Sequence, residues 1–134
     1  MSVLVNVAIV LTVVFAFSMQ THHLWSQGED TPLKVSMRRL LDYPEEYDGK
    51  RIATIGFLQL QFEGNALFLT EDDQVKRNYK NGIAIESASR PKMSLNLRYV
   101  RVEGTFYAKA YGHRGRWSGE IKNISKATES QTPE

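Results

Sequence analysis

The chain has 134 residues, no cysteine, a net charge of +2 and 42% hydrophobic residues, the composition of one ordinary globular domain. The missing cysteine excludes disulfides, zinc-thiolate sites, a thiol nucleophile and the lipidated cysteine of a lipoprotein. A charge of +2 is too small to argue by itself for nucleic acid or a membrane surface.

Residues 3–19 carry no charge, and the first charged side chain is Glu29. A domain this small has little room for a core helix that is apolar all round. Residues 1–18 therefore read as a signal peptide or an N-terminal membrane anchor. The apolar run is long for a signal core and short for a span. Ala16-Phe17-Ser18 supplies a small-x-small pattern for cleavage after Ser18. If uncleaved, residues 3–19 hold the protein to the membrane. The expected location is periplasmic or secreted, or anchored to the inner membrane and facing away from the cytoplasm. Residues 19–32 read as a linker. Its adjacent His22 and His23 lack the further ligands that a metal site needs.

Residues 33–125 carry the folded domain. Val35–Leu41 reads as a short helix, with Ser36 as its cap and Val35 stapled to Leu40. Pro44 ends it and opens a second turn. Leu40, Leu41, Tyr43 and Tyr47 are expected to cover one open end of a barrel. Residues 50–70 read as a long strand, a tight turn and a second strand. Ile52, Thr54, Gly56, Leu58, Leu60 and Phe62 share one face, and from Leu58 to Phe62 apolar and polar residues alternate strictly. Ile55 and Phe57 make the other face apolar too, so Gly56 is expected to mark a bend or bulge. Glu63-Gly64-Asn65 is the expected hairpin loop, with Gly or Asn taking a positive φ.

Ala66–Thr70 and Gly82–Glu86 are the next strands, separated by a polar loop over Glu71–Asn81. Ser87–Leu97 holds at most a turn of helix. Arg98–Lys109 is the fourth strand, with Val100, Val102, Gly104 and Phe106 inward and Tyr99, Arg101, Glu103, Thr105 and Tyr107 outward. Trp117–Ile124 is the fifth, with a bulge possible at Gly119, and residues 126–134 read as a disordered tail. The chain is thus all-β with a short N-terminal helix. Its order of parts is that of a five-stranded Greek-key barrel of the OB type. A small open sandwich is the competing all-β arrangement.

The run from Ser36 to Ile52, then Gly56-Phe57-Leu58 and Phe62 to Leu69, resembles a group of small uncharacterised bacterial proteins. Tyr99-Val-Arg-Val-Glu-Gly-Thr-Phe, Gly112-His113-Arg114-Gly115 and Ser118-Gly119-Glu120-Ile121 extend the likeness, which covers roughly residues 34–124. The entry Leu40-Leu41, then Pro44-Glu-Glu-Tyr-Asp-Gly-Lys50, then a strand, is also similar to OB domains of the tRNA-anticodon-binding-like type. The resemblance implies the fold and brings no catalytic residues with it.

The candidate ligand-binding residues are Tyr99, Arg101, Tyr107, His113, Arg116 and Trp117. They sit in a stretch where arginines and aromatics interleave, and single-stranded nucleic acid and sugars are both held by such residues. The same pattern also arises from ordinary cross-strand pairs. His113 is a lone histidine, and Glu103 and Glu120 read as a pair on neighbouring strands, an arrangement commoner in strand ion pairs than in acid–base catalysis. A covalent haem carrier needs Tyr four residues after its His, whereas Trp117 follows His113. No phosphate loop, nucleophile elbow or zinc spacing occurs.

The expectation is a non-catalytic binding or interaction module of the bacterial cell envelope, exported or tethered, without a cofactor. Its partner is an envelope protein or a small ligand. The alternative is single-stranded nucleic acid on the face of Tyr99, Arg101, Tyr107 and Arg116, which the export signal disfavours.

Overall fold

The computed structural model describes residues 31–109 and 115–131. The expected signal peptide or anchor and most of the linker lie outside them. The elements in chain order are β1 (Leu33–Lys34), α1 (Met37–Asp42), β2 (Arg51–Gln59), β3 (Ala66–Phe68), α2 (Glu71–Val75), β4 (Gly82–Ile85), β5 (Tyr99–Tyr107) and β6 (Glu120–Glu129). The sheet order is β1-β2-β3-β4-β6-β5, and β5 pairs back onto β2. The five longer-range strands β2 to β6 thereby close into a barrel. Their pairings are antiparallel except for β4 with β6, which is parallel. This is the OB arrangement.

The barrel interior follows the period-2 pattern. Ile52, Leu58, Leu67, Ile83, Val100, Val102, Phe106 and Ile121 are all fully buried. Burial of a side chain of this size stabilises by about 1.5–3 kcal/mol. Met37 and Leu40 of α1 complete the same core, with Val35, Leu41 and Tyr47 packed around them. Ser36 Oγ caps the helix by accepting the Arg39 N–H at 3.2 Å. Tyr43, expected beside them, is exposed and faces the Arg39 guanidinium instead.

Gly56 has a different physical role from the one expected. β2 pairs with β5 from Arg51 to Phe57 and with β3 from Phe57 to Gln59. Gly56 stays in regular register with Val100, so there is no bulge at that position. A Cβ there would lie 2.6 Å from Leu67 Cγ and 2.7 Å from the Phe68 carbonyl oxygen. Close approach of β3, rather than a kink, requires the glycine.

The irregularity sits in β6. Its register against β5 shifts between Glu103 and Thr105, and Asn123 takes φ +51°. The backbone groups freed there find side-chain partners. Asn123 N–H donates to Glu86 Oε2 at 3.0 Å, and Ile124 N–H donates to Ser89 Oγ at 3.1 Å. The Ser89 hydroxyl donates in turn to Glu86 Oε2. The Asn123 N–H, helped by Ser89, holds the Glu86 carboxyl below its usual range.

Other expectations shift at the element ends. β6 runs to Glu129, where it pairs with Val100, so residues 126–129 are strand and not tail. Trp117 precedes that strand instead of opening it. Phe62 is 93% exposed, because the chain leaves the sheet after Gln59. The positive φ of the hairpin falls on Glu63 (57°), while Asn65 turns inward and its Oδ1 accepts the Gln61 N–H at 3.1 Å. β3 ends at Phe68, and the polar run after it starts a helix, with Thr70 Oγ1 accepting the Asp73 N–H.

Two outcomes test this account. Gly56→Val should lower the unfolding free energy by about 1–3 kcal/mol through overpacking against Leu67, read by chemical denaturation. Glu86 contributes stability that is fully present above its ordinary pKa of 4.5 and lost as pH falls through the lower folded value. Glu86→Gln should therefore flatten the acid limb of a stability–pH curve, and an unchanged limb would remove Glu86 as the strut of the β6 bulge.

Candidate ligand-binding face

A second, smaller core lies outside the barrel, on the face of β2, β3 and β4. Phe57 is the cross-strand partner of both Phe68 and Tyr99. Ala66 and Ala84 oppose each other, and Gly82 opposes Phe68. These small residues leave a depression that the Trp117 ring fills. A Cβ on Gly82 would lie 2.8 Å from that ring.

The rings meet edge to face. Phe57 and Tyr99 have centroids 5.2 Å apart, Phe68 and Trp117 5.6 Å, and Tyr79 and Trp117 5.0 Å. Such pairs are worth about 0.5–1.5 kcal/mol each beyond their area burial. The Arg116 guanidinium closes the row over Tyr79, 4.9 Å from the ring centre. Trp117 is 7% exposed, and its Nε1 is buried without a hydrogen-bond partner among the described residues.

The segment that brings Tyr79 onto the face is held by polar contacts. The Asp73 carboxylate accepts hydrogen bonds from Thr70 Oγ1 at 2.8 Å and from the amides of Asn78 and Asn81, each at 3.1 Å. Burial works against its charge, but those hydrogen bonds outweigh burial and hold the carboxyl below the usual range. Tyr99 Oη accepts the Glu71 N–H at 3.1 Å, which ties the start of α2 to β5. Arg77, at φ +54°, turns the chain toward Tyr79.

Between this segment and the hairpin after β2 lies a cleft of about 310 Å³, walled by Gln59, Gln61, Gln74, Val75, Arg77 and Tyr79. Gln59 is its fixed point. The side chain is buried, Nε2 donates to the Gly64 carbonyl at 2.7 Å, and Oε1 accepts from Gln74 Nε2 at 3.1 Å. One amide thus ties the hairpin to α2 across the cleft floor. In OB barrels this face, with its flanking loops, is where ligands are held.

The structure gathers part of the candidate set and scatters the rest. Tyr99, Arg116 and Trp117 meet on this face through Phe57, Phe68 and Tyr79. Tyr107 sits at the other end of β5, roughly 26 Å from Tyr99 at strand spacing, with Lys122 Nζ 5.5 Å from its ring. Arg101 donates to Glu103 at 2.5 Å, and that hydrogen bond holds the Glu103 carboxyl below its usual range. Glu103 is opposite Lys126 and Glu120 is opposite Tyr107, so the two carboxylates do not form a pair. His113 lies outside the described residues. Gln59, Gln61, Gln74, Arg77 and Tyr79 escaped the reading of the sequence. The first two look like the wet side of a strand and the others like a solvated loop. The alternation of Gln59 with Gln61 on one face is the signal that was there to be read.

No family model matches the chain, and no curated protein matches it. Among solved structures the chain is similar to a DUF3299 family protein from Pseudomonas aeruginosa PAO1, with 12% identity and a TM-score of 0.51 over 78% of this chain and 99% of that one. It is also similar to a chain of the Stn1-Ten1 complex of S. pombe, with 15% identity and a TM-score of 0.46 over 77% of this chain and 80% of that one. The first of these is a likeness of fold.

With Trp25 replaced by Phe to leave one indole, Tyr79→Ala should shift the Trp117 emission to the red by opening one side of its ring to water. An unshifted spectrum would mean that Tyr79 does not shield it. Gln59→Leu should cost about 1–2 kcal/mol, since it breaks both hydrogen bonds of the cleft floor, and should speed amide exchange in the hairpin.

Proposed function

We propose that the protein is a binding module without catalytic activity that holds a small, neutral, hydroxyl-rich ligand of the saccharide class in the Gln59–Gln61–Gln74 cleft. The observation that carries this reading is the convergence of three glutamine amides on one cleft whose floor is already locked. An amide both donates and accepts, which matches a hydroxyl group that does the same. Tyr79 adds an aromatic wall, and Arg77 is the one cation lining the cleft among the described residues.

The same face argues against single-stranded nucleic acid as the ligand. Stacking needs open ring faces, whereas Phe57, Phe68 and Trp117 are buried against one another and Arg116 already covers Tyr79. The carboxylates with displaced titration also favour binding over catalysis. Asp73, Glu86 and Glu103 each hold local structure together. We extend the proposal to the bacterial cell envelope, with the module exported or tethered through residues 3–19, and with an envelope saccharide or protein as its partner. That extension rests on the uncharged N-terminal run.

Titration of the ¹⁵N-labelled protein with a panel of neutral oligosaccharides and with an oligodeoxythymidylate tests the reading. The expected result is saccharide-dependent shifts of the Gln59, Gln61 and Gln74 side-chain amides, insensitive to salt, with Gln61→Ala weakening binding about tenfold. Oligonucleotide binding through Arg77 and Arg116, falling steeply with salt, and no saccharide response would overturn it. Fractionation with N-terminal sequencing of a C-terminally tagged protein tests the location, and Met1 retained in a soluble cytoplasmic fraction would overturn that part.

A further inference from the structure

The edge of β2 that faces away from β5 is occupied twice, by β1 at Ile52 and Ala53 and by β3 from Phe57 to Gln59. Between them, Thr54 and Ile55 have no strand partner on that side. The gap opens into a cleft of about 270 Å³ that shares no residue with the glutamine cleft. At about 30 Å³ per water, this is room for a small organic molecule and not merely for one ordered water.

The donors around the gap are of one electrical sign. Lys34, Arg38 and Arg101 line it, and no carboxylate does among the described residues. Neither Lys34 nor Arg38 has an ion-pair partner among the described residues. Arg101 lends one N–H to Glu103, but a guanidinium has five. Three cations less the Glu103 carboxylate leave two net positive charges beside the cleft.

One further group points to a missing partner. Even-numbered residues of β2 bond to β5, as Leu58 N–H does to the Arg98 carbonyl, while the Ala53 carbonyl on the other edge accepts from Val35 N–H. By the same parity the Ile55 N–H faces the gap.

We propose that the gap between β1 and β3 on the β2 edge is a binding site for a small organic anion, whose carboxylate or phosphate is held by Arg101, Arg38, Lys34 and the Ile55 N–H. The site is independent of the saccharide reading of the other face.

Inorganic phosphate and malonate, titrated separately into the ¹⁵N-labelled full chain at constant ionic strength, serve as the probes. The expected result is saturable shifts confined to residues 34–38, 53–55, 69 and 101. Arg101→Gln should weaken binding about tenfold. Arg38→Gln, at an exposed position, should weaken it as well and keeps the test decisive if loss of Arg101 impairs folding. Saturation by malonate alone assigns a carboxylate ligand, by phosphate alone a phosphorylated one, and by both an unselective anion site. Failure of both probes to saturate, or equal affinity in wild type, Arg101→Gln and Arg38→Gln, overturns the proposal.

Discussion

The whole barrel depends on one strand having two partners on one edge and a third on the other. β2 gives Arg51–Phe57 to β5, Ile52 and Ala53 near its start to β1, and its C-terminal end to β3. That arrangement brings β3 across β2 so closely that Gly56 has no space for a Cβ beside Leu67 and Phe68. Closure then follows, because β3, β4 and β6 carry the sheet round to β5, which is already paired with β2. Barrel closure removes exposed edges from the sheet. Here a short stretch of one edge, Thr54 and Ile55, has no strand partner, and Lys34, Arg38 and Arg101 lie beside it.

The outer face of the barrel is shaped by what is small on it. Ala66, Gly82 and Ala84 leave the depression that Trp117 enters, and Trp117 gives Tyr79 something to pack on. The aromatic residues serve mostly one another. Their burial fixes the segment from Thr70 to Asn81 against the sheet, and that segment supplies the far wall of the glutamine cleft. Stability and site are thus coupled: the rings that look like a ligand platform in the sequence are the support on which a polar cleft is built. The similarity to the DUF3299 family protein extends to the fold and no further.

What the sequence by itself determined is the presence of the five barrel strands, the inward residues of β5 and of the core of β2, and the class of fold. Period-2 alternation in Val100, Val102 and Phe106 and in Ile52 and Leu58 is imposed by the pleat, and a domain with a single core leaves those residues one place to go. The cap at Ser36 and the stop at Pro44 are equally local, since each depends on backbone groups within a few residues. Tertiary structure decided the rest. It assigned Gly56 to a close approach instead of a bend, extended β6 through polar residues by pairing them with β5, and parted Arg101 and Tyr107 from Trp117 although all three lie within one short stretch of chain. It also brought Gln59 and Gln74 together from two elements with no local signal connecting them. The physical reason is that a strand's own residues set which way its side chains point, whereas its neighbours across the sheet set what those side chains meet.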